Sequence, residues 1–341
     1  MENKIWRITI DSNPEDCNLN CIMCEEHSQY SSFKKDLFEK TGIRHRRMSS
    51  GIIVKTINEA KMLGVKEIIP TTMGDPLVSD SIFTIIEQCK EKNIKLNVTH
   101  NGTFPGKSGR EWAELLVPIT SDIKISWNAA TKATAEMIMK GLDFDKAVSE
   151  LKEFVAYRDY WHQTTGYYCS VSLQMTFMRN NMHEIAEIID FAHEIGIDRI
   201  KGHHLWVHFP EIENLSFNKN DQTRREWNEI VSSANKYAAQ KSAHSKKTLK
   251  LENFIPFDEK QQLEIPETYE CPFLGKELWV SATGKISPCC APDNLRQSLG
   301  EFGNINSNSL AEIVNSNNYQ NLLTTYKTKE LCKTCTMRKP L

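Results

Sequence analysis

From residue 5 to about residue 257, short β-type runs alternate with amphipathic helical runs, and this repetition leaves few folds open. The strand candidates are residues 5–11, 67–73, 95–101, 122–128, 168–178 and 200–209. Helical runs lie between them at 49–63, 80–93, 144–162 and 182–195. Gly64 and Gly196 follow two of these runs, where a left-handed C-terminal cap belongs. Six strand–helix repeats predict an α/β fold with a parallel sheet. Right-handed crossovers curl such a sheet into a partial (β/α)6 barrel of the TIM type. Its chemistry belongs at the C-terminal ends of the strands.

Alternation within the strands says what the two faces are for. In the fifth strand Cys169, Val171, Leu173, Met175 and Phe177 share one face; Ser170, Ser172, Gln174 and Thr176 share the other. The first, third and fourth strands split likewise, with Thr9 and Asp11, Asn97 and Asn101, and Lys124, Ser126 and Asn128 on their polar faces. A packed barrel interior would carry branched apolar residues on both faces. The expectation is an apolar face against outer helices and a polar lumen suited to a polar ligand. Edge strands with one wet face are the alternative.

Directly after the first strand comes Cys17-Asn-Leu-Asn-Cys21-Ile-Met-Cys24. Three thiols this close suit a metal ion or an iron–sulfur cluster. A structural zinc site normally has four protein ligands, and this run lacks a fourth. The chain has ten cysteines in 341 residues, and MENKIWRITID does not read as a signal peptide. No apolar run approaches the ~20 residues that span a bilayer. The chain therefore reads as cytoplasmic, where thiols are more often ligands than disulfides. A net charge of -2 gives no reason to expect nucleic acid or a membrane as partner. Past residue 257 the alternation stops. The expected organisation is a barrel over 1–257, a linker over 258–268, and a small cysteine-rich α+β domain over 269–341. That tail holds Cys271, Cys289, Cys290, Cys332 and Cys335, while Cys89 and Cys169 stand alone.

The C-x3-C-x2-C run resembles the signature of the radical S-adenosylmethionine (SAM) superfamily. The resemblance implies a 4Fe–4S cluster on Cys17, Cys21 and Cys24 whose fourth iron is open for SAM. Met73-Gly74-Asp75 is similar to the Gly-Gly-Glu turn whose carbonyls hold the SAM amino group in that superfamily. Met23 stands where an aromatic residue usually packs on adenine. His100-Asn101-Gly102 resembles the superfamily's Thr-Asn-Gly turn. Ser126, Asn128, Gln174 and Thr176 are candidates for the SAM ribose or carboxylate. In the tail, Cys271, Gly284-x4-Cys289 and Cys332-x2-Cys335 resemble the short twitch form of a SPASM extension. That form implies a second, auxiliary 4Fe–4S cluster on Cys271, Cys289, Cys332 and Cys335, with a zinc ribbon as the alternative. Gly284 is also the expected turn of a hairpin.

Two further groups stand out. Alternation puts His204, Trp206 and His208 on one face of the sixth strand, with the two histidines roughly 13 Å apart by strand rise. A proton shuttle or substrate contact is one reading, a hydrogen-bonded structural histidine the other. Arg44-His45-Arg46-Arg47 reads as a solvated run or as a phosphate or carboxylate contact.

The resemblance implies reductive cleavage of SAM to methionine and a 5′-deoxyadenosyl radical, which removes a hydrogen atom from substrate. A low-potential donor such as flavodoxin or ferredoxin supplies the electron. The closed auxiliary cluster then takes the substrate's electron, giving a two-electron oxidation, as in the aminocyclitol dehydrogenases and sulfatase-maturating enzymes the chain resembles. Sixteen residues before Cys17 leave no room for a peptide-recognition domain, so the expected substrate is small and polar, such as a sugar or aminocyclitol. Peptide oxidation, cross-linking or epimerisation is the alternative; an epimerase needs a cysteine hydrogen-atom donor, for which Cys290 is the candidate. A non-catalytic electron carrier or redox sensor is the reading from another class, and it leaves Gly74-Asp75 unexplained.

Overall fold

The computed structural model describes residues 5–243, 248–257, 265–335 and 337–340; most of the expected linker, 258–264, lies outside the described residues. The strands in chain order are β1 (Arg7–Ile10), β2 (Glu67–Ile69), β3 (Lys95–His100), β4 (Thr120–Ser126) and β5 (Ser170–Phe177). They continue with β6 (Arg199–His204), β7 (Lys250–Glu252), β8 (Glu277–Val280) and β9 (Ile286–Ser287). The helices are α1 (Phe33–Thr41), α2 (Ser50–Met62), α3 (Ser81–Lys92), α4 (Gly109–Leu116), α5 (Lys132–Ile138) and α6 (Phe144–Thr165). After them come α7 (Ile185–Ile195), α8 (Asp221–Ala243), α9 (Asp293–Arg296), α10 (Leu310–Asn315), α11 (Asn317–Thr325) and α12 (Glu330–Lys333). All six expected strands form, and the repeating parallel strand–helix order is the α/β, partial TIM-barrel type. Among the described residues no helix is long and apolar enough to cross a membrane.

The chain divides into two compact units. The first comprises 1–14, 45–96 and 260–341, with strand order β3-β2-β1-β8-β9. All pairings there are parallel except β8–β9, the expected hairpin, which turns through Gly284 at φ +84°. Ile8, Ile10, Ile68, Leu278 and Val280 are wholly buried. Arg7 on β1 bridges Glu67 on β2 (2.6 Å) and Glu277 on β8 (3.2 Å), so one cation fixes three adjacent strands. The parallel docking of β8 on β1 has no local signature in the sequence.

The second unit comprises 15–44 and 97–259, with β4, β5, β6 and β7 successive and parallel. Its apolar strand faces meet helices as alternation predicts. Trp127 stacks on Phe191 of α7 at 5.2 Å, and Phe177 meets Trp227 of α8 at 4.6 Å. The opposite face is polar and internally paired. Arg199 donates to Ser172 (3.0 Å) and forms ion pairs with Asp122 and Glu252, while Lys124 meets Asp122 at 3.3 Å and donates to Asn97. Buried polar groups matched in this way avoid the cost of unpaired ones.

A fully buried arginine locks the helices to this sheet. Arg158 of α6 donates to the carbonyls of Cys169 (3.2 Å) and Gly196 (2.6 Å) and pairs with Asp198 (2.8 Å) and Asp159 (2.6 Å). It thereby joins α6, the start of β5 and the turn between α7 and β6.

Several elements differ in extent from the sequence pattern; the second strand, expected over 67–73, ends at Ile69. The sixth strand stops at His204, so Trp206 and His208 leave the alternation. After α8 the chain forms a strand of only three residues, β7, because Asn253 turns left-handed (φ +68°) and donates to the Gly202 carbonyl at 2.9 Å. In the tail the helical run breaks between α10 and α11 at Ser316, which is extended and accepts from the Tyr319 N–H as N-cap of α11.

Candidate functional site

In the second unit the three-thiol run is a loop pinned at its apolar residues. Leu19 and Ile22 are buried, while Cys17, Cys21 and Cys24 are half-exposed. Backbone bonds from Asn20 N to Lys140 O and from Ile22 N to Ile138 O, both 2.9 Å, hang the loop on the residues that end and follow α5. That helix is held in turn by Glu184. Its carboxylate accepts from Ala130 N (2.7 Å), Thr131 N (3.0 Å) and the hydroxyls of Thr131 (2.7 Å) and Thr134 (2.5 Å). Burial pushes the Glu184 carboxyl up, but these hydrogen bonds outweigh it and hold it below its ordinary range.

The sulfurs are provided with donors. Asn101, after β3, places Nδ2 3.6 Å from Cys17 Sγ and 2.8 Å from Asn18 Oδ1. Its Oδ1 accepts from Thr103 N (3.0 Å), which fixes the amide orientation, so the group facing Cys17 is the N–H2. Burial pushes the Cys24 thiol up, opposed by the backbone N–H groups of His27 and Glu26. N–H groups directed at sulfur suit thiolates that ligate an iron–sulfur cluster.

His100 is buried, and its Nδ1 accepts from Gly102 N at 3.1 Å. Burial lowers its pKa from 6.5 to about 3. The folded chain therefore keeps His100 neutral where the unfolded chain protonates it. Stability is full above pH 6.5 and is lost as pH falls toward 3, at up to about 1.4 kcal/mol per pH unit from this one residue. Urea unfolding between pH 7 and pH 5 should show this slope, and His100→Asn, which keeps an acceptor for Gly102, should flatten it.

In the first unit the turn at 71–76 is tied to the end of β1. Asn13, wholly buried, donates to the Asp75 carbonyl at 2.8 Å and accepts from Ser12 Oγ at 2.8 Å. The Asp75 carboxylate caps the following turn through Leu77 N (2.9 Å), leaving Met73 and Gly74 half-exposed. Thr72 donates to Asp11 Oδ1 at 2.6 Å. Sequence reasoning missed Asn13 and Glu184; the cue to either is only a polar residue beside a motif.

Of the other candidates, the structure brings four together. Ser126 and Gln174 are register partners on β4 and β5, and Asn128 Oδ1 accepts from Thr176 N at 2.8 Å. Asn128 and Thr176 are buried. His204 and His208 are not brought together. The Phe177 ring covers Gly202 so closely that a Cβ there would lie 2.1 Å from it, and His204, two residues on, shares that helix-facing side. His204 stacks on Phe257 (4.5 Å) and abuts Trp227 (4.7 Å). Burial first, and His203 second, lower its pKa to about 4. The expectation that His204 contacts substrate from a strand face shared with His208 is thus corrected: His204 is aromatic packing, neutral near pH 7, and His208 lies past the strand.

The tail thiols form a second group in the first unit. Cys271 accepts from Leu274 N (3.4 Å) and Cys289 from Ala291 N (3.5 Å). Burial pushes the thiol of Cys271 up, as do Cys289 and Cys335; Cys332 rises to about 12 through burial and its proximity to the other three. The four therefore lie within electrostatic reach of one another. Cys290 donates to the Cys289 sulfur, lowering that thiol to about 7. Among the described residues no three His, Cys, Asp or Glu side chains enclose a single ion. Arg338, buried, bonds the carbonyls of Tyr269 (2.9 Å), Pro266 (3.0 Å) and Cys332 (3.3 Å), tying the final thiols to the segment before Cys271.

Comparison with known proteins agrees with this division of thiols. The family model for the radical SAM superfamily matches residues 14–192, and that for SPASM, an iron-sulfur cluster-binding domain, matches 271–336. A probable GTP 3′,8-cyclase of Methanothermobacter thermautotrophicus is 24% identical over 190 residues, 53% of this chain and 52% of that protein. The chain thus matches about half the length of that cyclase. A tungsten-containing aldehyde ferredoxin oxidoreductase cofactor-modifying protein of Pyrococcus furiosus is 22% identical over 318 residues, covering 89% and 79% of the two chains. Among solved structures, Streptococcus suis SuiB bound to S-adenosylmethionine superposes with a TM-score of 0.66 at 17% identity, over 97% of this chain and 72% of that one. At that identity the likeness is one of fold.

Proposed function

The chain belongs to the radical SAM superfamily, and we propose that it oxidises a small polar substrate by two electrons, using two 4Fe–4S clusters. The observation that carries this reading is the division of thiols into a set of three with no fourth and a set of four that lie near one another. When bound, the open cluster would supply the electron for reductive cleavage of SAM, the source of a 5′-deoxyadenosyl radical able to remove a substrate hydrogen atom. Cys17, Cys21 and Cys24 hold that cluster. Met73, Gly74 and Asp75 offer backbone groups to the SAM amine, with Asn13 fixing the turn. Met23 packs on adenine; Ser126, Asn128, Gln174 and Thr176 bind the polar parts of SAM, and Thr131–Glu184 bonds keep the thiol loop's support in place. Cys271, Cys289, Cys332 and Cys335 would hold the closed cluster, which would serve as acceptor for the substrate's electron, and a flavodoxin or ferredoxin would supply the first one.

A peptide substrate is the second reading. It is favoured by the fold shared with SuiB, whose structure bound to the precursor peptide SuiA superposes with a TM-score of 0.63.

Anaerobic reconstitution tests the proposal. It expects about eight irons per chain and 5′-deoxyadenosine on addition of SAM and dithionite. A loaded protein that never cleaves SAM contradicts it, and about four irons with zinc retained in the tail removes the auxiliary cluster. The N–H of Asn101 gives a finer check. A hydrogen bond to a ligand sulfur favours the more negative, reduced cluster. Asn101→Leu is therefore expected to shift the midpoint potential of the front cluster to more negative values in an EPR-monitored redox titration. An unchanged potential would mean that the 3.6 Å contact does not persist in the loaded protein.

A further inference from the structure

One cavity of the first unit is used by none of these roles. It measures about 180 Å³ and is lined by Arg46 from the loop before α2, by residues of the β8–β9 hairpin, and by Arg296 and the residues after it. Three of its lining residues, Arg46, Lys285 and Arg296, are basic, and none is acidic. Arg46 is far in sequence from Lys285 and Arg296, which arrive from the β8–β9 hairpin and the segment just after it.

The other polar groups match them. Ser287 Oγ accepts from Cys289 N (3.3 Å), and Ser281 Oγ accepts from Lys285 N (3.1 Å) and lies 3.1 Å from Thr283 Oγ1. A serine oxygen that accepts from a backbone N–H keeps its own O–H to donate. The nearby acids hold the cations without lining the cavity. Asp11 Oδ2 is 3.6 Å from Arg296 Nη2, and Glu301 is 2.8 Å from Lys285 Nζ. Arg296, only 8% exposed, also donates to the Cys289 carbonyl at 3.4 Å. A small concave site rich in donors and lined by three cations has the chemistry that recognises an oxyanion.

We propose that this cavity binds an oxyanion, a carboxylate or phosphate carried by the small substrate. The inference rests on the oxidase reading above and gives its substrate a charge. The position suits that role. Ser287 is two residues from Cys289, and Asp11, the partner of Arg296, is held by Thr72 in the turn that contains Met73, Gly74 and Asp75. A substrate anchored here lies beside the tail thiols and next to that turn.

Calorimetric titration of the reconstituted full chain, without SAM or reductant, tests the site with pyrophosphate and citrate as probes. At least one probe should bind, more weakly as salt rises. Arg46→Gln and Lys285→Gln should each weaken it about tenfold, while Lys285→Arg should retain it. Tighter pyrophosphate identifies a phosphate, tighter citrate a carboxylate. In the unmodified chain, the bound probe should slow acetylation of Lys285 relative to exposed lysines, a readout that needs no variant to fold. Failure of both probes to bind, unchanged affinity in a chain carrying both Arg46→Gln and Lys285→Gln, or no protection of Lys285 would overturn the proposal. Probe binding by a chain that makes no 5′-deoxyadenosine would keep the site and sink the enzymatic reading; 5′-deoxyadenosine without probe binding would do the reverse.

Discussion

Replacing Arg158 with methionine is expected to destabilise the protein by about 3–5 kcal/mol, among the largest single-residue losses available to it. The side chain is wholly buried, and its fork bonds two carbonyls and two carboxylates at once. Methionine fills much of the volume but leaves the Cys169 and Gly196 carbonyls without these donors and Asp198 without its cation. Asp198 also accepts from Val171 N (2.7 Å) and from the Tyr168 hydroxyl, so its loss of charge balance reaches the start of β5. Arg158→Lys keeps the charge without the fork and should recover only part of the loss. Denaturant unfolding checks both, and a loss below about 1 kcal/mol would show that the guanidinium is not what joins α6 to the sheet.

The largest effect on activity is expected at the front thiols. Cys21→Ala should lower SAM cleavage by at least about three orders of magnitude, or roughly 4 kcal/mol of barrier. Cys332→Ala should spare much of that cleavage while abolishing net oxidation of substrate. Quantifying 5′-deoxyadenosine alongside oxidised product separates the two. If Cys332→Ala lost both together, or Cys21→Ala lost neither, the assignment of one role to each thiol group would fail.

Much of this architecture is legible because its signals are local. Period-two alternation in 170–177 and 120–126 identifies which face meets the helices, and Trp127 and Phe177 lie against Phe191 and Trp227 accordingly. The hairpin turn at Gly284 is readable because a left-handed residue is needed there. What escaped depends on partners far along the chain. Arg158 looks like any polar residue on a long helix until Cys169 and Gly196 present their carbonyls to it. Asn13 gains its meaning from the Asp75 carbonyl 62 residues away, and Glu184 from amides at 130 and 131. The sequence pattern of the sixth strand runs past its true end because aromatic and histidine residues continue beyond it, whereas the observed pairing with β5 stops at His204. His204 itself shows the limit of alternation: it does lie on one definite face, but only the bulky neighbours Phe177 and Trp227 reveal that the face is packed.

The central claim is that the front thiol group leaves an iron open to SAM and the tail group does not. EPR of the dithionite-reduced, reconstituted chain, recorded with and without SAM, tests it most directly. SAM should alter the spectrum of the unmodified protein, and should leave unchanged that of a variant in which Cys17, Cys21 and Cys24 are all alanine and about four irons remain. A SAM-dependent change that persists in the alanine variant, or no change in the unmodified protein, would contradict the account.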